Sequence, residues 1–232
     1  MAERKPATRQ AAGTSSPRIT VVTPTYNDGE LLKECIVSVL EQGYPNLEYI
    51  VVDGGSTDGS LDILKRYDDR LAYWTSEPDR GQADALNKGF RRATGELVCW
   101  LNSDDFFYPG ALAAAAEAYR GDPDAPFYFG NGYRVDHSGR KLAEFFPDGH
   151  VHFRREAIVF GLNCVLQPST FIRRTALEQL DLLDADLHYG FDTDLWIRLS
   201  ALGRPHPIRK HLAASREYGK TKTSTGSFAR AE

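Results

Sequence analysis

The stretch WLNSDDFF, residues 100–107, sets an amide, Asn102, and two adjacent carboxylates, Asp104 and Asp105, directly behind the apolar run 97–101. Neighbouring carboxylates at the end of a buried segment repel each other and lose hydration unless positive charge is shared between them. A hard divalent cation, Mg²⁺ or Mn²⁺, meets that need, because it prefers oxygen ligands and is commonly held by one or two carboxylates together with substrate phosphates. The alternative is that the pair caps the next turn and faces water. Further along, FDTDLW at 191–196 places Asp192 and Asp194 at the start of a segment with Leu195, Trp196, Leu199 and Leu202 at helical spacing. A helix dipole favours carboxylates there.

Such groups do chemistry together only if the chain gathers them. Residues 19–23, ITVVT, are a β-branched run that reads as a buried strand. The loop 24–29 follows, and then Leu32, Cys35, Ile36, Val39 and Leu40 mark one apolar helix face. The unit recurs: strand 47–52 ending at Asp53, loop 54–59, helix 60–67; strand 71–76, loop 77–81, helix 82–92; then strand 97–101. Strands alternating with helices imply a parallel sheet covered on both faces, with ligands outside the strands' carboxyl ends. The loops 24–29, 53–59, 77–82 and 102–105 all follow such ends and are expected to converge on one crevice. After Pro109 the pattern changes to a helix at 111–119, two strands within 127–146 around the turn 137–139, and a strand at 170–172 running into a helix through Leu180. A helix at 192–202 stopped by Gly203 completes a mixed sheet. The fold class is therefore α/β, Rossmann-like, with a mixed, mostly parallel sheet and helices on both faces.

The 232 residues, 41% hydrophobic and 26% charged, suit one domain of this kind. A net charge of -4 and no basic stripe argue against nucleic acid as a partner. No apolar run is long enough to cross a bilayer, and residues 1–17 are polar and small, without the apolar core of a secretory signal. They are expected to form a disordered leader, with 18–225 as the domain and 226–232 as a tail. Cys35, Cys99 and Cys164 lie apart among apolar neighbours and read as reduced core residues of a cytoplasmic protein. His150 and His152 could share a strand face, yet no third metal ligand accompanies them.

Five ordered motifs, 23–27 TPTYN, 51–58 VVDGGSTD, 79–88 DRGQADALNK, 101–105 LNSDD and 191–196 FDTDLW, resemble the inverting nucleotide-sugar glycosyltransferases of the GT-A fold, family 2. The resemblance extends over about residues 18–225. It implies a nucleotide-sugar half at 18–108 and an acceptor half at 109–225. By that resemblance Pro24, Thr25 and Tyr26 cradle the nucleotide, Asp53 accepts from the base imide, Arg80 approaches the diphosphate and Asp84 contacts the sugar. Asn102, Ser103 and Asp104 occupy the family's Asp-x-Asp position. Asn102 replaces the first Asp, so the cation rests on Asp104, with Asn102 suited to ribose hydroxyls and Asp105 supporting from behind or capping. The general base falls to Asp192, since Phe191 stands where relatives carry Glu, and Asp194 is its rival. The family's Arg-x-His stretch is here 215–218, SREY, which suggests that Tyr218 contacts a phosphate and that Lys220 or Lys222 offsets diphosphate charge, or else that this tail is solvated. Simpler roles stay open: Asp53 as a turn former, Arg80 and Asp84 as solvated charges, Asp192 and Asp194 as helix-start residues.

The resemblance implies a nucleoside diphosphate sugar donor, a saccharide or lipid-linked acceptor in surface polysaccharide or glycolipid synthesis, and peripheral contact with a membrane at most. Residues 167–171, QPSTF, with Tyr189, Phe191 and Trp196, are expected to line the acceptor side. A catalytically silent nucleotide-sugar-binding module is the competing class. A sugar-phosphate nucleotidyltransferase would need a Gly-rich loop with Arg and Lys after the first strand, and a dehydrogenase would need G-x-G-x-x-G there; loop 24–29 has neither.

Overall fold

A computed structural model describes residues 16–149, 151–160, 162 and 164–219. Its first half follows the repeated unit: β1 (Ile19–Thr25), α1 (Gly29–Leu40), β2 (Leu47–Asp53), α2 (Ser60–Arg66), β3 (Tyr73–Ser76), α3 (Gln82–Phe90) and β4 (Leu97–Trp100). The second half comprises β5 (Phe106–Phe107), α4 (Ala111–Gly121), β6 (Phe127–Val135), β7 (Lys141–Glu144), α5 (Arg155–Val159), β8 (Thr170–Arg173), α6 (Arg174–Gln179), α7 (Phe191–Leu202) and β9 (His206–Arg216).

One mixed sheet holds all nine strands in the order β3-β2-β1-β4-β8-β6-β9-β5, with β7 on β6. The first four are mutually parallel. Beyond β4 the direction alternates: β8 is antiparallel to β4 and to β6, β9 is parallel to β6, and β5 is antiparallel to β9.

β1 explains why the first strand reads as uninterrupted apolar and β-branched residues. All seven of its residues are buried, and successive side chains point to opposite faces. Val21 joins Leu32, Ile36, Val39 and Leu64 under α1 and α2, whereas Val22 joins Leu86, Phe90, Trp100 and Trp196 under α3 and α7. The sheet is thus a wall between two cores, and its carboxyl edge is the surface left free.

Two features go beyond the sequence expectations. Strand β9 was not among them, and its pairing with β6 depends on glycine: a Cβ on Gly132 would collide with the Ala213 carbonyl, and one on Gly130 with the Leu212 side chain. Ser16 and Pro17, expected in the leader, are also held against the domain, since the Tyr44 hydroxyl donates to the Pro17 carbonyl at 2.6 Å and the Asn46 amide to the Ser16 carbonyl at 2.9 Å. Residues 1–15 of the expected leader, the tail 226–232 and His150 lie outside the described residues.

Candidate active site

A cleft of about 690 Å³ opens at the carboxyl ends of β1 and β4, bounded across the sheet by α7 and the end of β9. Register creates it. Thr25 pairs with Asp53 and Asp53 with Ser76, so the three strands stop level and the loops that follow meet.

Pro24, Thr25 and Tyr26 line one wall. Tyr26 keeps 65% of its surface exposed at the rim, and the buried Thr25 Oγ1 has no hydrogen-bond partner among the described residues. Asp53 behaves differently. Its fully buried carboxylate accepts hydrogen bonds from the Gly55 and Ser56 amides at 3.1 and 2.9 Å, from the Ser56 hydroxyl, and from the Ser76 hydroxyl at 2.6 Å. Those four donors occupy both oxygens in forming the turn, and Asp53 does not reach the cleft. Asp79, in the loop after β3, does line the cleft, although the sequence reading gave it no role of its own. A Cβ added at Gly54 would lie 2.6 Å from Asp79 Oδ2 and 3.3 Å from the Tyr26 ring, so glycine there lets Asp79 and Tyr26 approach each other.

Arg80 and Asp84 pair with each other at 3.5 Å, and neither lines the cleft. From α3 it is Gln82 and Ala85 that do so, three residues apart on one helix face, with Asp84 turned towards Lys88. Gln82 Nε2 donates to Asn102 Oδ1 at 2.7 Å, and the Asn102 amide donates to Asp105 and to Gln167, both at 3.3 Å. Asn102 is the hub of a polar floor that an aspartate could not reproduce, because an ionised carboxylate has no hydrogen to donate.

Asp104 and Asp105 divide their tasks. Asp105 is buried and accepts from the Arg216 backbone amide at 2.9 Å. Burial, and then the charge of Asp104, push its carboxyl well above the usual range. Asp104 lines the cleft, and burial followed by repulsion from Asp28 raises it to about 6. Asp28, held by the Ser103 hydroxyl at 2.9 Å, is also raised by burial. The local cation is Arg216, whose guanidinium donates to the Asp104 carbonyl at 2.5 Å, to the His137 carbonyl at 3.2 Å and to the Glu34 carboxylate. Even so, all three aspartates remain displaced upwards, because burial, the largest cause for each, outweighs the attraction of Arg216. Among the described residues no three His, Cys, Asp or Glu side chains form a metal site by themselves. Hard oxygen donors short of positive charge fit a divalent cation that brings further ligands with it.

On the opposite wall α7 starts at Gly190, whose φ of 73° suits glycine, and Asp192 lines the cleft in the helix's first turn. Asp192 Oδ1 accepts the Thr193 amide at 2.8 Å. Asp194 is bound elsewhere: Arg198 grips it at 2.7 Å while also donating to the carbonyls of Leu180 and Leu182. Of the expected acceptor-side residues, Gln167, Pro168, Tyr189 and Phe191 line the cleft. Ser169, Thr170, Phe171 and Trp196 are buried instead; Trp196 stacks on Trp100 at 5.5 Å because the helix's apolar stripe must face the sheet. Tyr218 lines the cleft, its hydroxyl pushed up to about 12 by burial and by the nearby aspartates, so it stays a hydrogen-bond donor. Lys220 and Lys222 lie outside the described residues. Arg134 and His188 also face the cleft, and no sequence motif announced them.

Residues 20–181 match the model of Glycosyl transferase family 2. An uncharacterized glycosyltransferase of Mycobacterium tuberculosis is 31% identical over 198 residues, covering 84% of this chain and 74% of that protein. S. aureus TarS 1-349 in complex with UDP-GlcNAc shares the fold at a TM-score of 0.72 and 21% identity, covering 90% of this chain and 61% of that one. The mannosyltransferase PcManGT from Pyrobaculum calidifontis in complex with GDP-Man and Mn²⁺ does so at 0.67 and 24%, covering 98% of this chain and 64% of that one. This chain therefore spans less than two thirds of either solved neighbour. The fold is GT-A, and the family match over most of the domain shows that the chain belongs to glycosyl transferase family 2.

Proposed function

We propose that the chain transfers a sugar from a nucleoside diphosphate sugar to an acceptor hydroxyl, with inversion at the anomeric carbon and with the help of Mg²⁺ or Mn²⁺. One observation carries this reading: a single cleft holds an orphaned hydroxyl and an exposed aromatic on one wall, a charge-deficient aspartate cluster on its floor, and the Asp192 carboxylate opposite. The neighbours TarS and PcManGT, bound to UDP-GlcNAc and to GDP-Man with Mn²⁺, support it by sharing the fold.

In this reading residues 18–108 hold the donor. Tyr26 offers a face to the base, Thr25 Oγ1 and Asp79 offer polar contacts to the nucleoside, and Asn102 with Ser103 forms the floor beneath it. Asp104 would hold the cation, which when bound neutralises the diphosphate leaving group; Asp105 and Arg216 fix Asp104 from behind. Tyr218 donates to a phosphate oxygen. Arg80, just before α3, and Asp84, on α3, pair with each other outside the cleft and are given no donor contact in this reading. The acceptor oxygen forms its bond to the anomeric carbon as the bond from that carbon to the phosphate oxygen breaks on the opposite face. Asp192 takes the hydroxyl proton.

Residues 109–225 present the acceptor, a saccharide or lipid-linked hydroxyl in surface polysaccharide or glycolipid synthesis. Among the described residues no helix is long and apolar enough to cross a membrane, and the proposed location is the cytoplasm, with peripheral contact at the membrane face. Calorimetry with UDP, GDP and dTDP sugars, with and without Mn²⁺ and paired with a turnover assay, tests the reading. Metal-assisted binding with transfer is expected; binding without transfer would leave a silent binding module, and no binding would overturn it.

A further inference from the structure

Among the described residues few large apolar side chains are exposed, and three of them fall in one short stretch: Val159 at 55%, Phe160 at 83% and Leu162 at 66%. The stretch is anchored from within. Ile158 is buried in the core that also holds Phe191, Leu195 and Trp196, and Phe153 packs edge-on against Phe127 and Phe129. The Leu162 amide donates to the Ala157 carbonyl at 2.8 Å, and the Cys164 thiol to the Arg154 carbonyl at 3.6 Å. Inner contacts thus hold the three apolar side chains out in water. Beside them Arg154 and Arg155 are exposed and form no ion pair among the described residues, against the single acid Glu156.

The size of the patch selects its occupant. Three partly exposed side chains fall well short of the roughly 800 Å² per partner of a stable protein interface. A bilayer requires no matching partner area: a few apolar side chains enter the headgroup boundary while adjacent arginines meet anionic headgroups. The location selects the purpose. Val165 and Leu166, three and four residues beyond Leu162, line the cleft together with Phe145.

We propose that Val159, Phe160 and Leu162, flanked by Arg154 and Arg155, dock the protein on an anionic lipid surface and so turn the acceptor side of the cleft towards that surface. What the surface delivers rests on the sugar-transfer reading; the docking does not. The test uses the full chain and sedimentation with vesicles of phosphatidylcholine, with and without phosphatidylglycerol. The wild type is expected to pellet with the anionic vesicles, and Phe160→Ser with Leu162→Ser to lower the partition coefficient by about tenfold or more. Arg154→Gln with Arg155→Gln should lower it several-fold and reduce its salt dependence, and both pairs should bind nucleotide sugar as the wild type does. Wild type left in the supernatant, or serine variants that pellet unchanged, would overturn the docking while leaving the cleft's function intact. So would sedimentation equilibrium showing a wild-type dimer that the serine variants dissolve, since the occupant would then be a second copy. Vesicle binding without any nucleotide-sugar binding would uphold the docking and defeat only the transfer reading.

Discussion

Replacing Asp192 by Asn should stop transfer and leave the cleft able to hold its donor. Asparagine keeps an oxygen where Asp192 Oδ1 accepts the Thr193 amide at 2.8 Å, so the first turn of α7 persists. What is lost is a charge at a helix start, worth about 0.5 kcal/mol, or roughly 1–2 °C of melting temperature in a domain of this size. The proton acceptor is lost as well, which lowers the rate by roughly 10² to 10⁴. Asp194→Asn should do the reverse. It breaks a half-exposed ion pair with Arg198 worth about 0.5–1 kcal/mol and loosens the Arg198 grip on the Leu180 and Leu182 carbonyls, beside Asp181 and Leu182 at φ of 57° and 67°. Together these give roughly 1–2 kcal/mol of destabilisation, with turnover at saturating donor within about threefold of wild type. Transfer velocity at saturating donor, melting temperature and the product anomer by NMR are the readouts. A dead but stable Asp194→Asn beside an active Asp192→Asn would move the base by two residues, and two active variants would refute the mechanism.

Asp104 should govern the acid response of the metal-free protein. Its folded-state pKa, raised to about 6 from 3.8, means that its contribution to stability is fully present below the lower value and lost as pH rises through the upper one; in chelator, wild type should gain stability relative to Asp104→Asn as pH falls from about 7 through about 6, and parallel pH profiles would contradict the assignment. Chelation or Asp104→Ala should weaken nucleotide-sugar binding strongly, and donor affinity unchanged in chelator would remove the cation from the mechanism. Asp53→Ala should act on stability, because four donors lose their acceptor, at roughly 3 kcal/mol and roughly 6–12 °C of melting temperature; weakened nucleotide binding with an unshifted melt would instead place Asp53 on the base. Asn102→Asp removes the donor to Asp105 and Gln167 and adds a like charge, so the metal-free variant should melt lower and recover more than wild type on adding Mn²⁺, whereas an equal response would show that the amide floor is dispensable.

The first half of the fold was legible because β1, β4 and most of β2 are buried on both faces and the loops between strands break them with Gly, Pro, Asn and Asp. A run such as ITVVT has no polar face to confuse its period. Strand β9 was not legible, for its sequence HPIRKHLAASR alternates poorly and much of what buries Ile208, Leu212 and Ala213 lies far away in sequence. Which polar side chains face the cleft was less legible. Gln82, Asp84 and Lys88 are all polar, so composition cannot fix which side of α3 faces the cleft; the contacts of Ala83, Leu86 and Phe90 with the core do. An aspartate ending a strand can reach outwards or curl over its own turn, and the donors of the Gly55–Ser56 turn, together with Ser76 brought in by the β2–β3 register, make Asp53 curl.

The paired aspartates after β4 follow from two demands on adjacent residues. The chain leaves β4 beside β1 and must at once turn into β5, which is paired to β9 from the far end of the sequence. Asp105 meets the first demand by tying that turn to the Arg216 amide. Asp104, its side chain on the cleft and its carbonyl held by the Arg216 guanidinium, meets the second. One guanidinium, shared with Glu34, faces Asp28, Asp104 and Asp105, and it does not outweigh the burial and mutual repulsion that push all three carboxyls up. Complete neutralisation by the protein would leave no driving force for a cation, and no cation would leave the departing diphosphate unbalanced. The buried arginine thus ties Asp105 and the Asp104 backbone in place while leaving the Asp104 carboxylate on the cleft, where the proposed metal-bound nucleoside diphosphate would complete the site.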